Sequence, residues 1–279
     1  MENKRILVVG GTGYVGKPLV ERFKKKGYQV TVLSRRSKGN GAAEIKGSIL
    51  DEQFLLQRLK GFSVVVYLAA VVRSLNKARY QENCLGLQNT LAAMLANKVR
   101  KILFFSTQNV HLQETGPYGT SKKQSEEILR KSSVDYMIIR PNYVYGIDRH
   151  NDLYQLYRIM RLTKLCPTIG DGKTKIQPVN KENLATITIT CMENWESQQA
   201  IEVSGNRTLS VNQIVDIIKK QAGLGCLQIH APMSVMKLFQ WMIPFDLEGY
   251  SEDRIAPNTA KVIKGTADLE EDLKKMVHL

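Results

Sequence analysis

The 279-residue chain is long enough to bury a full core, and its 43% hydrophobic and 24% charged residues lie near the averages of folded chains, which excludes a disordered protein. The longest apolar run, residues 64–72, is too short to cross a bilayer, so no membrane span is expected. The formal net charge of +14 permits attraction to nucleic acid, anionic membrane or phosphorylated ligands but names none of them; runs such as Lys24-Lys25-Lys26 and Lys219-Lys220 read first as solvated faces, and no nucleic-acid partner is expected.

Residues 5–10 are a short Val/Ile-rich run that ends in glycines and predict a buried parallel strand. A helix is predicted to start near Tyr14, with Val15, Leu19, Val20 and Phe23 on its apolar face, and Gly27 stops it before a strand over 29–33. The alternation continues with a strand at 43–46, a helix over 52–59, a strand at 64–68 and a helix over 79–97. A strand at 101–106, a helix over 118–131 and a strand at 136–140 complete it. This rhythm predicts a doubly wound α/β fold, a parallel Rossmann sheet covered by helices on both faces.

After Gly146 the rhythm loosens into a helix over 152–162, a turn at Gly170-Asp171-Gly172-Lys173, a strand at 201–203 and a helix over 210–221. The expected division is a dinucleotide-binding domain over 1–165, with a return segment near 174–190, and a smaller C-terminal α/β substrate lobe over 166–279. The apolar stretch 232–245 reads as a core or substrate-wall helix of that lobe in preference to a membrane-interface helix. Cys84, Cys166, Cys191 and Cys226 are scattered, as are His111, His150, His230 and His278, so neither disulfides nor a metal site is expected. A reducing compartment follows, and with no signal-peptide pattern before the first strand the cytoplasm is the expected location.

The turn Gly10-Gly11-Thr12-Gly13-Tyr14-Val15-Gly16 directly follows a predicted strand and opens a predicted helix. In that context its glycines let backbone amides approach a pyrophosphate, and the helix N-terminus adds a partial positive charge. Gly10, Thr12, Gly13, Tyr14, Val15 and Gly16 are therefore candidate dinucleotide contacts. At the end of the second strand, where an acid would select NAD through the adenine ribose, stand Ser34, Arg35 and Arg36. A hydroxyl and two guanidiniums suit a 2′-phosphate, so NADP is expected over NAD.

Tyr118 and Lys122 lie four apart on a predicted helix and share a face. A nearby ammonium favours the charged form of a phenol and would bring Tyr118 toward neutral pH as an acid/base. The pair follows the fifth strand, whose end carries Ser106 and Thr107 at the ligand crevice, where Thr107 can hydrogen-bond a reacting oxygen.

These residues resemble the short-chain dehydrogenase/reductase superfamily in its extended branch, the NAD-dependent epimerase/dehydratase family. The glycine turn, Leu68-Ala69-Ala70, Asn83 with Gly86 and Asn89, Ser106-Thr107, Tyr118 with Lys122, and Arg140-Pro141-Asn142-Tyr143-Val144-Tyr145-Gly146 occur in the family's order over about the first half of the chain. The resemblance implies a catalytic set of Thr107, Tyr118 and Lys122, with Lys122 also on the nicotinamide ribose. It further implies cofactor contacts at Leu68, Ala69, Ala70, Ser106 and Pro141, and a homodimer through the helices near 83–97 and 118–131.

Departures from the family pattern fall on the substrate side. Only eleven positions separate Thr107 from Tyr118, Tyr143 replaces an asparagine, Thr174 replaces an arginine for the pyrophosphate beside Lys173 and Lys175, and Ser48 replaces an aspartate near the adenine. The expected activity is an NAD(P)-dependent oxidoreductase or epimerase acting on a carbinol or ketone of an anionic small molecule, a nucleotide-linked sugar. The alternative is a member similar to the family's atypical branch, which holds NADP as a structural or regulatory cofactor with little turnover.

Overall fold

Ile6, Leu7, Val8 and Val9 have no polar alternation, and they form the centre of β1 (Arg5–Val9), buried on both faces. Their side chains alternate between two cores. Ile6 and Val8 meet α1 (Gly16–Lys25) through Leu19, Val20 and Phe23, while Leu7 and Val9 face the opposite layer. Each such fully buried aliphatic side chain contributes about 1.5–3 kcal/mol. The computed structural model describes residues 4–35, 42–232, 234 and 252–279; Arg36 and most of the apolar stretch 232–245 lie outside the described residues.

The alternation continues as β2 (Gln29–Ser34), β3 (Ala43–Lys46), α2 (Glu52–Arg58), β4 (Val64–Tyr67), α3 (Gln81–Ala96), β5 (Lys101–Phe105), α4 (Gly116–Arg130) and β6 (Asp135–Pro141). Beyond it come β7 (Val144–Tyr145), α5 (Asp152–Thr163), β8 (Leu165–Ile169), β9 (Lys175–Ile176), β10 (Val179–Asn180), α6 (Lys181–Glu193) and β11 (Gln199–Ser204). The last described elements are β12 (Leu209–Ser210), α7 (Val211–Ala222), β13 (Leu227–Ala231), β14 (Lys261–Lys264) and α8 (Leu269–Val277).

Eight strands pair in parallel in the order β14-β11-β6-β5-β4-β1-β2-β3, the doubly wound arrangement expected from the sequence. The winding reverses between β1 and β4, which opens a crevice at the carboxyl ends of the strands. Helices α1 and α6 cover one face of the sheet, and α2, α3 and α4 the other. Two of the eight strands, β11 and β14, come from beyond residue 165, so the chain returns to the sheet twice while building its second layer.

That second layer packs α5, α7 and α8 through Tyr157, Met160, Ile218, Leu273 and Met276 around the β8–β13 and β9–β12 pairs. A buried carboxylate ties it to the β7–β10 ladder. Asp272 accepts from the Tyr145 hydroxyl at 2.9 Å and from Asn180 Nδ2 at 2.7 Å, joining α8 to the β7–β10 ladder. Ser210 caps α7 and exchanges bonds with Gln213, satisfying two backbone donors at the helix start. Among the described residues no helix is long and apolar enough to cross a membrane.

Candidate active site

A cleft of about 590 Å³ occupies the crevice above β1 and β4, within the usual size of a small-ligand site. Its floor is the glycine turn. Gly10 has φ +86°, and a Cβ there would lie 2.8 Å from the Ala69 nitrogen; a Cβ on Gly16 would lie 2.5 Å from the Gly10 oxygen. Backbone thus packs on backbone, which only glycine permits. Gly13 instead faces open space, and a Cβ on it would meet only the Gly10 oxygen, at 3.3 Å. The first turn of α1 carries no acidic residue to cancel the positive end of its dipole. Cleft volume, bare backbone and helix N-terminus together fit a dinucleotide.

The predicted contacts converge on this cleft. Gly10, Thr12, Gly13, Tyr14, Val15 and Gly16 line its floor, Ser34 and Arg35 one end, and Leu68, Ala69 and Ala70 the wall that leaves β4. Ser106, Thr107, Tyr118, Lys122 and Pro141 line the other end. Sequence reasoning missed Glu82, Asn109, Asp152 and Arg254, which also line it. Asn109 closely follows the end of β5, a weak positional signal, whereas Glu82 in the first turn of α3, Asp152 and Arg254 reach the cleft through tertiary placement. Burial raises the Asp152 carboxyl above its ordinary value, and the Arg254 guanidinium lies 5.9 Å from the Tyr143 ring centre. Lys173 is exposed and paired with Asp171 at 3.5 Å; neither it nor Lys175 is among the described residues lining the cleft.

Asn83 fastens the cleft wall to the helix that carries Tyr118. Its amide oxygen accepts from the Val71 nitrogen at 2.6 Å, and its Nδ2 donates to the Val71 oxygen and to Ser121 Oγ, at 3.1 and 2.9 Å. The Thr107 hydroxyl accepts from the Asn109 nitrogen at 3.3 Å, which caps the turn between β5 and α4.

Behind this turn Arg140, at the end of β6, holds two carboxylates. Its Nε lies 2.8 Å from Glu126 on α4, and its Nη1 lies 2.9 Å from the wholly buried Glu202 on β11. His111 Nε2 meets the same Glu202 oxygen at 2.8 Å.

Lys122 is directed inward. Its Nζ donates to the Phe105 carbonyl at 2.7 Å and lies 4.6 Å from the Phe104 ring centre. Burial pushes its ammonium down to about 7, with Glu126 the main opposing charge. Burial also raises the Tyr118 phenol above its ordinary value, contrary to the depression expected from a neighbouring ammonium. The Lys122 charge is engaged by the Phe105 carbonyl and is itself shifted toward neutrality, so it does little for the phenol. The tyrosine therefore stands as a proton holder, suited to donate toward an oxygen that gains negative charge.

A family model described as "NAD dependent epimerase/dehydratase family" matches residues 6–204. The chain belongs to this family. Among curated relatives, the putative UDP-glucose 4-epimerase of Methanocaldococcus jannaschii is 26% identical over 257 residues, 78% of this chain and 82% of the relative. The solved UDP-glucose 4-epimerase of Thermus thermophilus, in complex with NAD, superposes with TM-score 0.77 at 20% identity, covering 98% of both chains. A UDP-glucuronic acid 4-epimerase mutant from Bacillus cereus, also with NAD, superposes with TM-score 0.80 at 19% identity and the same coverage.

These NAD complexes overturn the expectation of NADP drawn from Ser34, Arg35 and Arg36. One opposing charge stands in the same cleft. Glu82 on α3, held below the ordinary carboxylate range by its hydrogen bond to Arg79, also lies in the field of Arg35. Paired with Arg79 and partly exposed, this carboxylate offsets only weakly the Arg35 charge on which the NADP reading rested.

Proposed function

We propose that this protein is an NAD-dependent oxidoreductase or epimerase acting on a carbinol or ketone of a nucleotide-linked sugar. The observation that carries the reading is the convergence of Thr107, Tyr118 and Lys122 on the same cleft as the glycine turn. Family membership and the likeness to nucleotide-sugar 4-epimerases support it.

Bound NAD would supply the acceptor and donor of a hydride. The chain's own residues handle the proton and the geometry. Tyr118 gives its proton to the oxygen as a carbonyl is reduced, and in the reverse direction its phenolate form takes the hydroxyl proton as a carbinol is oxidised; Thr107 orients the reacting oxygen, and Lys122 holds the ribose beside them. The floor around Gly13 and the wall at Ala69 and Ala70 bind the pyrophosphate, and Leu68 and Val144 exclude water from the reacting end. Pairing of two copies through α3 and α4 belongs to the same reading and draws support from the exposed Leu85 and Leu95 on α3.

Incubation of the purified protein with NAD and a panel of nucleotide-linked hexoses tests the reading. Products are separated chromatographically, because an epimerase that recycles its cofactor leaves no net absorbance change. Conversion of at least one sugar at a rate on the order of 1 per second or faster is expected. NAD binding with no conversion across the panel would replace the enzyme by a cofactor-holding protein.

A further inference from the structure

A group of cations and a set of exposed leucines meet at one end of the second layer. Helix α5 passes into β8 through Lys164, at φ +58°, and α7 passes toward β13 through Gly223, at φ +59°. Because β8 and β13 are parallel and in register from Leu165 opposite Leu227, both helix ends and both strand starts lie at the same end of the lobe. There Leu162 is 75% exposed, Leu227 67%, Ile229 43% and Leu165 40%. Residues 165, 167, 227 and 229 share one face of this two-stranded sheet, while Cys166 and Thr168 are buried beneath it.

Cations border the leucines. Arg158, Arg161, Lys164 and Lys220 are exposed and Lys219 is half-buried, with Asp216 the nearby acid on α7. Lysines and arginines in a last helical turn complement the helix dipole, which accounts for the charges but not for the bare leucines between them. Apolar side chains with a cationic border match the layered chemistry of an anionic bilayer surface, in which acyl chains lie beneath phosphate headgroups.

We propose that this end of the lobe docks on an anionic membrane surface. Leu162, Leu165, Leu227 and Ile229 enter the acyl boundary, and Arg158, Arg161, Lys164, Lys219 and Lys220 meet the lipid phosphates. The docking face is built from β8, β13 and the ends of α5 and α7, and it uses none of Thr107, Tyr118 or Lys122. Its success or failure is therefore separate from that of the proposed activity.

Co-sedimentation of the full chain with vesicles tests the proposal, using phosphatidylcholine alone and phosphatidylcholine containing about 30% phosphatidylglycerol. Binding to the anionic vesicles only is expected, weakened about tenfold or more between roughly 0.1 and 0.5 M salt. Arg161→Glu with Lys164→Glu is expected to weaken it at least about 30-fold. Leu227→Ser with Ile229→Ser is expected to weaken it about tenfold, with NAD binding and melting temperature unchanged. Absence of binding to anionic vesicles overturns the proposal, as does binding that survives both double variants. Duplex DNA binding that the leucine variant leaves intact, in place of vesicle binding, would overturn it in favour of a generic polycation. A dimer that the leucine variant dissociates, again without vesicle binding, would assign the face to a second copy of the chain.

Discussion

Replacing Tyr118 by phenylalanine is expected to lower kcat by about 10²–10⁴-fold, the usual worth of a positioned acid/base, while NAD affinity stays within about threefold. The substitution keeps the ring and removes the one atom that can hold the transferred proton. Single-turnover conversion of the best nucleotide sugar measures the first quantity, and fluorescence titration with NADH the second. A parallel loss of both would mean that the phenol serves binding, and an unchanged kcat would remove Tyr118 from the chemistry.

The partner residue carries a pH signature that can be read without substrate. Burial lowers the folded-state pKa of Lys122 to about 7, against an ordinary lysine value of 10.5. Between those values the unfolded chain binds a proton that the folded chain does not. Stability of the cofactor-free protein therefore rises with pH across that window, by at most about 1.4 kcal/mol per pH unit. Denaturant titrations at about pH 7 and pH 9.5 should show this slope in the parent and a flatter line in Lys122→Met. Equal slopes would show that Lys122 is solvated as an ammonium.

The largest expected loss of stability belongs to Arg140→Met. Removing the guanidinium leaves Glu126 and the wholly buried Glu202 without their shared cation, at a cost of about 3–5 kcal/mol, or roughly 10 °C in melting temperature. Burial alone would raise the Glu126 carboxyl, but the hydrogen bonds and charge of Arg140 hold it below its ordinary value of 4.5. A carboxyl depressed in the folded state contributes stability above its unfolded pKa and loses it as pH falls through the folded value. In Arg140→Met burial is opposed only by the weaker influence of the Ser106 hydroxyl and the charge of Arg130, so Glu126 takes up a proton more readily when folded. The gap between parent and variant should then narrow as pH falls from about 7 to 4, and a gap that stayed constant would locate the loss in packing alone.

Much of the sheet was legible because β1, β4, β5 and β6 are compact apolar runs, and β1, β3, β4 and β5 each lead on to a helix. Beyond β6 the expected helices at 152–162 and 210–221 and the strand at 201–203 are present as α5, α7 and β11, but α6 and β8 were not foreseen. Thr186-Ile187-Thr188-Ile189-Thr190 alternates as a strand would, and no helix was expected there, yet it lies within α6. The hydroxyls of Thr186, Thr188 and Thr190 each return to the carbonyl four residues earlier, and Leu184, Ala185, Thr188, Ile189 and Met192 are buried beside α1. Strand β8 was hidden because its entry turn uses Lys164 in the left-handed region, where a glycine would have announced it.

In the cleft, the glycine turn and the Tyr118–Lys122 spacing are local patterns and could be read directly. The misjudged phenol has its origin in the fold. The bond from Lys122 to the Phe105 carbonyl, like the weak field of Arg35 at Glu82, joins residues far apart in sequence, and a one-dimensional reading could not weigh it.

The return of the chain to place β11 beside β6 bears on how the protein is made. Met137, Ile138 and Ile139 on β6 emerge from the ribosome well before Gln199, Ala200 and Ile201, their partners on β11. Until then β6 is an open, apolar sheet edge, the kind of surface that recruits a strand from another chain. A fragment ending near residue 165 would keep that edge permanently, so the first half of the sequence is a poor candidate for expression alone despite carrying the whole glycine turn. The nascent full-length chain is most exposed to aggregation while α5 to α6 are being synthesised, and chaperone capture would matter most in that interval.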